Sequence, residues 1–387
     1  MKSYVLNLVT LLVTISCGIE NDRERIRSNE NLVDTLQSQL EEIVNKHMQT
    51  ALNDTLINSF SIGVHNQGYA YTFHLGGLTQ GRNDSPNDNT IYEIASVTKT
   101  FTGTLTAKAI LDGKLNLDDD IRKYLPQPYP NLEYEGHPIR IQHLLTHTSG
   151  LPSGILGMPN VERDLNEIEF NKAYLKFENQ ATRSDFFKHL SKVSIKEIPG
   201  SKFNYSNPGS NLMGYILGKV YDKPFQKLIE EDILSKAKMN NTYFRVPEKE
   251  RYRIANGYLL DMPAPETKLS ETLWGAEGAL KSTITDMLNY IDFQFKEIDL
   301  VKESHRKIYE IDKDYWIGYY WWSIENQNHD LHLRHDGGIT RGKTVLVIYP
   351  EQKIGICVFT NQSSMTIINT LSELTYNIYN DLKELNK

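Results

Sequence analysis

Residues 91–111 read IYEIASVTKTFTGTLTAKAIL, a stretch that joins a strand-like start to a helix-like end. The apolar segment Ile91–Ala95 favours a strand, and the apolar spacing over Thr100–Leu111 predicts a helix. Ser96 and Lys99 stand at the junction, one turn apart, so both side chains are expected on one face where the helix begins. The positive end of the helix dipole would then lie beneath the Ser96 hydroxyl. The stretch therefore predicts a polar site at a strand-to-helix junction.

The Ser-x-x-Lys spacing occurs twice more, so the spacing alone does not identify a site. The other matches begin at Ser235 and Ser304, among charged residues, and both are predicted to be solvated surface. Only Ser96 precedes a helix with an apolar interior. We therefore expect the chemistry to reside at Ser96 rather than at the other two serines.

Both ends of the chain contribute predicted strands. Phe60–Val64 and Tyr69–Phe73, separated by four polar or small residues, predict a hairpin. Further strand-like segments precede a closing helix near the C-terminal end: Tyr315–Ile324, Asp330–His335, Thr344–Tyr349 and Lys353–Thr360, then a helix over about Thr366–Leu385. These positions predict one antiparallel sheet assembled from both ends of the chain.

Helices are predicted on both sides of a helical middle segment. Asn31–Met48 and Lys281–Phe295 space their apolar residues at three and four, and Ser282-Thr283 provides suitable N-cap residues at the start of the second. The predicted fold class is α+β, an antiparallel sheet flanked by helices with an inserted helical lobe. The α/β part is expected over about 32–115 and 255–387, and the lobe over about 116–254.

Composition excludes several classes of protein. Of 387 residues, 39% are hydrophobic, which is enough for a large core and excludes a disordered or collagen-like chain. Lys plus Arg is 42 and Asp plus Glu is 49, a net charge of −7 that does not favour nucleic acid as a partner. The chain has no apolar run long enough to predict a polytopic membrane protein. Cys17 and Cys357 are the only cysteines, too few for a disulfide framework or a thiolate zinc site.

The N-terminal residues have the pattern of an export signal. Lys2 precedes the apolar run 5–16, which is too short to span a bilayer, and Cys17 follows it. This arrangement resembles a bacterial lipoprotein signal, in which the cysteine is lipidated and becomes the mature N-terminus. Residues 1–17 are therefore predicted to be a signal peptide, and the polar residues 18–31 a tether. A cleaved secretory signal and a cytoplasmic chain with an apolar start are the alternatives.

Two further motifs follow Ser96 in the sequence. Tyr205 and Asn207 form a Tyr-x-Asn pattern in a turn-rich segment that leads into a helix. His335-Asp336-Gly337-Gly338 stands at the end of a predicted strand. A second Tyr-x-Asn pattern at Tyr129 lies in a proline-rich loop and is interpreted as background.

Taken in order, Ser96/Lys99, Tyr205/Asn207 and His335/Gly337 resemble the three motifs of the serine β-lactamase and penicillin-binding protein superfamily. The Tyr-x-Asn form is similar to its class C, DD-peptidase and esterase branch. Residues 113–119, 144–152 and 278–283 are also similar to that family, so the resemblance covers the chain from about residue 32 onward. It implies a helical lobe beside an antiparallel sheet.

The resemblance also implies roles for the motif residues. Ser96 would be the nucleophile, and Lys99 or Tyr205 would take its proton. Asn207 would hold the acyl-side amide of the substrate, and His335 and Gly337 would belong to the substrate-binding wall. The backbone N–H groups of Ser96 and Gly338 would form the oxyanion hole. No cofactor or metal is implied.

Asp336 departs from the family pattern, which has a hydroxyl residue at this position. We expect its charge to disfavour substrates that carry a carboxylate beside the scissile bond, with Arg341 able to offset it.

His143 and His147 have the spacing of a helical metal pair, but their flanking residues favour structural histidines.

The predicted function is hydrolysis of an amide or ester through a Ser96 acyl-enzyme, with DD-peptidase-like or esterase-like specificity. A class C-type β-lactamase is one alternative, and a slowly deacylating penicillin-binding sensor or scaffold is another. We expect a small-molecule or peptide substrate, a monomer, and a lipid anchor at Cys17 that faces the periplasm or the cell surface.

Overall fold

The structure is a computed structural model that describes residues 37–79, 81–158, 166–325 and 329–387. The predicted signal peptide and tether, with Cys17, lie outside the described residues. An eight-stranded antiparallel sheet forms the centre of the fold, with strand order β2-β1-β14-β13-β12-β11-β10-β9. Its strands, in chain order, are β1 Ser59–Asn66, β2 Tyr69–Gly76, β9 Tyr309–Asp312, β10 Tyr315–Gly318, β11 Trp321–Glu325, β12 Leu331–Ile339, β13 Gly342–Tyr349 and β14 Ile354–Thr360. β1 pairs with both β2 and β14, so the N-terminal hairpin joins the C-terminal strands in one sheet, as the hairpin and C-terminal patterns predict.

Outside the eight-stranded sheet, seven short strands form three smaller sheets among the described residues. Three of them form a small sheet in the order β15-β6-β7, and the others pair as β3 with β8 and β4 with β5. Their bounds are β3 Tyr92–Glu93, β4 Glu133–Tyr134, β5 His137–Pro138, β6 Gly257–Leu259, β7 Met262–Ala264, β8 Lys281–Ser282 and β15 Gln362–Ser363.

Helices cover both faces of the eight-stranded sheet. The first described helix, α1, covers residues 37–51. The others are α2 Thr98–Leu111, α3 Ile141–Leu145, α4 Glu167–Glu178, α5 Arg183–Leu190, α6 Asn207–Tyr221, α7 Phe225–Ile229, α8 Leu269–Thr272, α9 Ile284–Gln294, α10 Asp299–Ser304 and α11 Ile367–Leu385. Shorter turns of other helix types occupy Ala95–Val97, Ile121–Tyr124, Glu230–Leu234 and Glu248–Arg253.

Strand alternation divides the core into two layers. On β13, Val345 and Val347 pack with α1 and α11, whereas Leu346 and Ile348 pack with α2 and α9 on the opposite face. Cys357 on β14 is buried and belongs to the second layer, the core position that its apolar neighbours predict. The predicted class, an antiparallel sheet flanked by helices, is therefore confirmed. The boundaries of the helical lobe remain a prediction.

Two predictions from the sequence are wrong in detail. The segment Tyr315–Ile324 is two strands rather than one, because Tyr319 and Tyr320 both adopt positive φ angles, 50° and 67°, and reverse the chain. Ser304, predicted to be solvated, is fully buried and donates a hydrogen bond to the Val301 carbonyl at 2.9 Å.

Within the described part of the chain, no helix is long and apolar enough to cross a membrane.

Candidate active site

Ser96 lies in the 3-10 turn Ala95–Val97, between β3 and α2. The chain is held just before this turn because the Ile94 N–H donates to the Leu280 carbonyl at 3.0 Å. Ala95 has φ 47°, a conformation that is unfavourable for a residue with a Cβ and that occurs often at functional sites. The predicted strand-to-helix junction is therefore present, with a strained residue immediately before the serine.

Lys99 is fully buried one turn after Ser96 and makes three hydrogen bonds. Its ammonium donates to Ser96 Oγ at 3.0 Å, to Asn207 Oδ1 at 2.8 Å and to the Glu277 carbonyl at 2.6 Å. Three acceptors match the three N–H bonds of an ammonium group, which is the arrangement that a buried charge requires. Lys99 therefore links the first two motifs directly.

Tyr205 completes the cluster because its hydroxyl donates to Ser96 Oγ at 2.9 Å. The Lys99 ammonium lies 4.9 Å from the centre of the Tyr205 ring. The structure thus brings Ser96, Lys99, Tyr205 and Asn207 together, although 109 residues separate Ser96 from Tyr205 in sequence.

The start of α6 positions Tyr205 and Asn207. Ser206 is the N-cap, and its hydroxyl accepts from the Gly209 N–H at 3.1 Å. Pro208, in the first turn of α6, suits a position where a backbone N–H would have no partner inside the helix. Tyr205 therefore immediately precedes a rigid helix start, as the turn-rich sequence predicts.

His147 holds the backbone on both sides of Tyr205, a role that the sequence analysis missed. Its carbonyl accepts from the Asn204 N–H at 2.7 Å, and its Nδ1 accepts from the Ser206 N–H at 3.1 Å. Its ring packs on the Tyr205 ring with 4.3 Å between centroids. Burial and the nearby Lys99 charge lower the pKa of His147 well below its usual value, so the imidazole remains a neutral acceptor.

The third motif lies on β12, next to the Ser96 turn. Gly337 approaches the turn so closely that a Cβ there would lie 2.4 Å from the Ile94 carbonyl oxygen. Gly338 lines the same cavity as Ser96, and its role as an oxyanion-hole donor remains a prediction.

His335 is buried beside this cluster. Its Nδ1 is 2.8 Å from the Asp336 carbonyl, and its ring stacks on Trp322 with 5.5 Å between centroids. Burial, followed by the Lys99 charge, lowers the pKa of His335 to about 3. His335 is only 1% exposed and is not among the described residues that line the cavity, so contact with substrate remains a prediction.

The structure does not bring Asp336 to the cleft. Strand alternation turns its side chain to the opposite face from His335, where Arg334 donates to both carboxylate oxygens at 2.7 and 2.8 Å. The predicted pairing with Arg341 is also wrong, because the Arg341 guanidinium lies 2.9 Å from the Glu93 carboxylate. Asp336 therefore cannot exert the predicted charge effect inside the cavity.

The cavity beside Ser96 has a second set of polar residues that the sequence analysis missed. Tyr174 and Glu178 of α4 line it, together with Glu277 from the loop before β8. Tyr174 hydrogen-bonds to Asn207, which connects α4 to the motif residues. The similarity of residues 278–283 to the family is the sequence signal nearest to Glu277, but no pattern in α4 distinguishes Glu178 from a surface acid.

The remaining sequence candidates have structural positions. His143 accepts from the Arg140 N–H at 3.1 Å, so both histidines of the pair are structural, as predicted. Ser235 is exposed, as its charged neighbours predict. The described residues contain no group of His, Cys, Asp and Glu side chains arranged to hold a metal ion.

Sheet, flanking helices and the Ser96–Lys99–Tyr205 cluster define a class of active-site-serine protein in which a lysine and a tyrosine flank the serine. The chain belongs to the beta-lactamase family, since the family model described as Beta-lactamase matches residues 44–366. This confirms the superfamily resemblance, whereas the class C branch remains a prediction.

Individual relatives agree with this assignment. Protein flp of Staphylococcus aureus strain MRSA252 is 30% identical over 325 residues, which are 81% of this chain and 60% of the relative. A protein named Beta-lactamase from Pseudomonas fluorescens is 26% identical over 270 residues, 70% of this chain and 68% of the relative. The chain thus spans about 60% of the length of the Staphylococcus aureus proteins that it matches.

Solved structures share the fold. A crystal structure titled beta-lactamase/D-alanine carboxypeptidase from Yersinia pestis has a TM-score of 0.73 and 21% identity, covering 88% of this chain and 98% of that one. A protein of the same title from Pseudomonas syringae has a TM-score of 0.72 and 18% identity over the same shares of each chain. These matches support the sheet-and-helix architecture described above.

Proposed function

We propose that this protein is a serine hydrolase that cleaves an amide or ester through an acyl-enzyme at Ser96. The observation that carries the proposal is the position of Ser96 Oγ, which is within hydrogen-bond distance of both Lys99 and Tyr205. A weak nucleophile needs an adjacent group that accepts its proton, and a cavity in which the substrate carbonyl can approach it. Ser96 has both features.

Tyr205 is the better candidate for the group that takes the Ser96 proton. The three acceptors around Lys99 suit an ammonium, which cannot accept a proton. A Tyr205 phenolate beside that ammonium would accept the proton as Ser96 Oγ attacks the carbonyl, and would then pass it to the leaving group. Water would hydrolyse the Ser96 ester in a second step and restore the serine. The backbone N–H groups of Ser96 and Gly338 are the proposed donors to the oxyanion.

Substrate specificity of the DD-peptidase or esterase type is the leading proposal. The printed titles of the Yersinia pestis and Pseudomonas syringae structures pair β-lactamase with D-alanine carboxypeptidase, which supports amide substrates. The relative named Beta-lactamase supports β-lactam hydrolysis as a second candidate.

A side-by-side substrate panel tests the proposal. Protein lacking residues 1–17 is offered a short-chain nitrophenyl ester, a D-Ala-D-Ala peptide and a cephalosporin, with Ser96→Ala as the inactive variant. We expect sustained release of product from at least one substrate and none from the variant. A single burst of one product per protein molecule would indicate a slowly deacylating trap instead. Equal hydrolysis by Ser96→Ala would refute the nucleophile assignment.

We also propose export and lipid anchoring through Cys17, supported by the apolar run and the polar residues that flank it. Replacing Cys17 with Ser should release the protein from the membrane fraction. A wild-type protein that is soluble after cell disruption and retains residues 1–16 would contradict both the signal and the anchor.

A further inference from the structure

We propose that the cleft recognises a positively charged amine beside the scissile bond, and that Glu178 and Glu277 are the residues that bind it. The substrate class is an ester or amide whose acyl group carries a free ammonium, such as an aminoacyl ester. This inference rests on the proposed function, because it assigns a specificity to the cavity that contains Ser96.

Glu178 is an unpartnered carboxylate in the wall of that cavity. It is the last residue of α4 and is only 6% exposed, yet it lines the cavity with Ser96. No described residue donates a hydrogen bond to its carboxylate or forms an ion pair with it. A buried carboxylate without a partner is costly and takes up a proton more readily, so an ammonium supplied by a ligand in the cavity would stabilise its charged form.

Glu277 adds a second carboxylate on the same cavity. Its side chain is 5% exposed, and it hydrogen-bonds to Asn211 while its backbone carbonyl accepts from Lys99. Burial and the proximity of Glu277 and Glu93 raise the pKa of Glu178 well above its usual value. The Lys99 charge offsets part of the Glu277 charge, but no described basic side chain is paired with Glu178, so an ammonium beside Glu178 would relieve both its burial and its repulsion by Glu277.

Among the described residues, none of the basic side chains near the cavity is paired with Glu178, although the Lys99 charge reaches Glu277. Lys281 and Arg341 both pair with Glu93, at 3.4 and 2.9 Å. Lys343 lies beside Gly338 and faces the charge of Glu167, but it does not line the cavity. The described lining itself has two acidic side chains and no basic one, so a ligand ammonium can reach Glu178 without meeting a basic side chain of the lining.

The aromatic residues of α4 suit the same ligand. Phe170 and Tyr174 line the cavity, two turns and one turn before Glu178 respectively. Aromatic rings stabilise a nearby ammonium through its attraction to the face of the ring. Because Tyr174 also hydrogen-bonds to Asn207, this wall adjoins the residue proposed to hold the acyl side of the substrate. We therefore place the amine on the acyl group rather than on the leaving group.

Matched ester pairs test the inference. The kcat/KM of alanine benzyl ester is compared with that of N-acetylalanine benzyl ester, for both enantiomers, in wild-type protein and Glu178→Gln. We expect the free-amine ester of at least one enantiomer to be preferred by tenfold or more, and the preference to fall at least fivefold in Glu178→Gln. Glu169→Gln, an exposed residue on the same helix, is the matched control and should keep the wild-type preference.

A binding measurement separates specificity from catalysis. Alaninamide should slow the labelling of Ser96 by a fluorophosphonate probe, whereas N-acetylalaninamide at the same concentration should not. Labelling without any preference for the free amine, or a preference that persists in Glu178→Gln, would overturn the inference and leave the proposed function intact. A wild-type protein that is neither labelled nor active would instead refute the proposed function.

Discussion

Three contacts of Lys99 explain why one lysine can stand beside the proposed nucleophile without an acidic partner. Its ammonium is fully buried, and serine, amide and backbone oxygens take its three hydrogens. Each of these acceptors comes from a different segment, so the site assembles only when the fold is complete. The position of Tyr205 depends in turn on His147, which binds the backbone on either side of it.

Replacing His147 should therefore impair catalysis through Tyr205. His147→Leu removes the Nδ1 acceptor of the Ser206 N–H, and we expect kcat to fall at least tenfold with little change in KM. His147 has φ 55°, which Asn adopts more readily than Leu, and an Asn side chain also offers an acceptor near the Nδ1 position. His147→Asn should thus retain more activity than His147→Leu. Equal losses in the two variants would show that the acceptor is not what matters.

Asp336 should now affect stability rather than substrate charge. Asp336→Asn weakens the bidentate pair with Arg334, for which we expect a loss of about 1 kcal/mol in the free energy of unfolding by urea titration. The ratio of kcat/KM for carboxylate-bearing and neutral substrates should change by less than twofold. A tenfold gain for the carboxylate-bearing substrate would place the Asp336 charge in the cleft after all.

Sequence spacing identifies the residues of the site whose chemistry is local. Ser96 and Lys99 are one helical turn apart, and Tyr205 precedes a helix start, so both motifs can be recognised from short-range patterns. Glu178 cannot be recognised in this way, because acids are common on helices and only the tertiary fold buries this one. Asp336 was recognised from the motif, but its orientation was predicted wrongly, because one step along a strand changes the face to which a side chain points.

At the scale of elements, β12 packs closely against the Ser96 turn at Gly337. Gly337 is required there because the Ile94 carbonyl occupies the space that a side chain would need. The antiparallel pairing of β12 with β13 continues through Gly337 and Gly338, so the strand cannot move away without breaking its ladder. The third motif thus has a steric role as well as any role in binding.

Gly337→Ala should displace β12 from the serine turn. The added methyl would meet the Ile94 carbonyl oxygen at 2.4 Å, and overpacking of this kind costs about 1–3 kcal/mol. We expect a lower urea midpoint and a loss of Ser96 labelling by a fluorophosphonate probe. Gly154→Ala, where a Cβ would meet nothing within 4 Å, is the matched control and should behave like the wild type. Normal labelling of Gly337→Ala would contradict the steric account.

The spacing of apolar residues predicts the long helices, but it does not predict the turn at Tyr319 and Tyr320. Thr98–Leu111, Ile284–Gln294 and Ile367–Leu385 are helices close to their predicted bounds. The turn at Tyr319 and Tyr320 was not predicted, because bulky residues rarely adopt positive φ. Tertiary contacts impose it: the Tyr320 N–H donates to the Leu145 carbonyl at 3.0 Å, and the Tyr319 carbonyl packs against Gly103.

For the whole molecule, buried histidines couple stability to pH. Six of the described histidines have lowered pKa values, and burial is the largest cause in each. The pKa is about 3 for His335 and His305 and about 4 for His143 and His332. The other two are His65 and His147. The unfolded chain binds protons at these positions below about pH 6.5, whereas the folded protein does not. Stability is therefore lost as the pH falls from about 6.5 toward 3.

Acid should accordingly lower the urea midpoint between pH 7 and pH 5. Buried carboxyls with raised pKa values oppose this trend, but only three are resolved among the described residues: Glu178, Glu277 and Asp286. We expect the histidines to outweigh them. A midpoint that stays constant or rises on acidification would show that these histidines are protonated in the folded protein.

The most direct test of the central claim is the mass of the protein after it reacts with a fluorophosphonate probe or a penicillin, followed by peptide mapping of the adduct. We predict one added probe per chain, located on Ser96, with no adduct in Ser96→Ala and normal labelling of Ser235→Ala. An adduct on any other residue, or labelling that persists in folded Ser96→Ala, would contradict the assignment of Ser96 as the nucleophile.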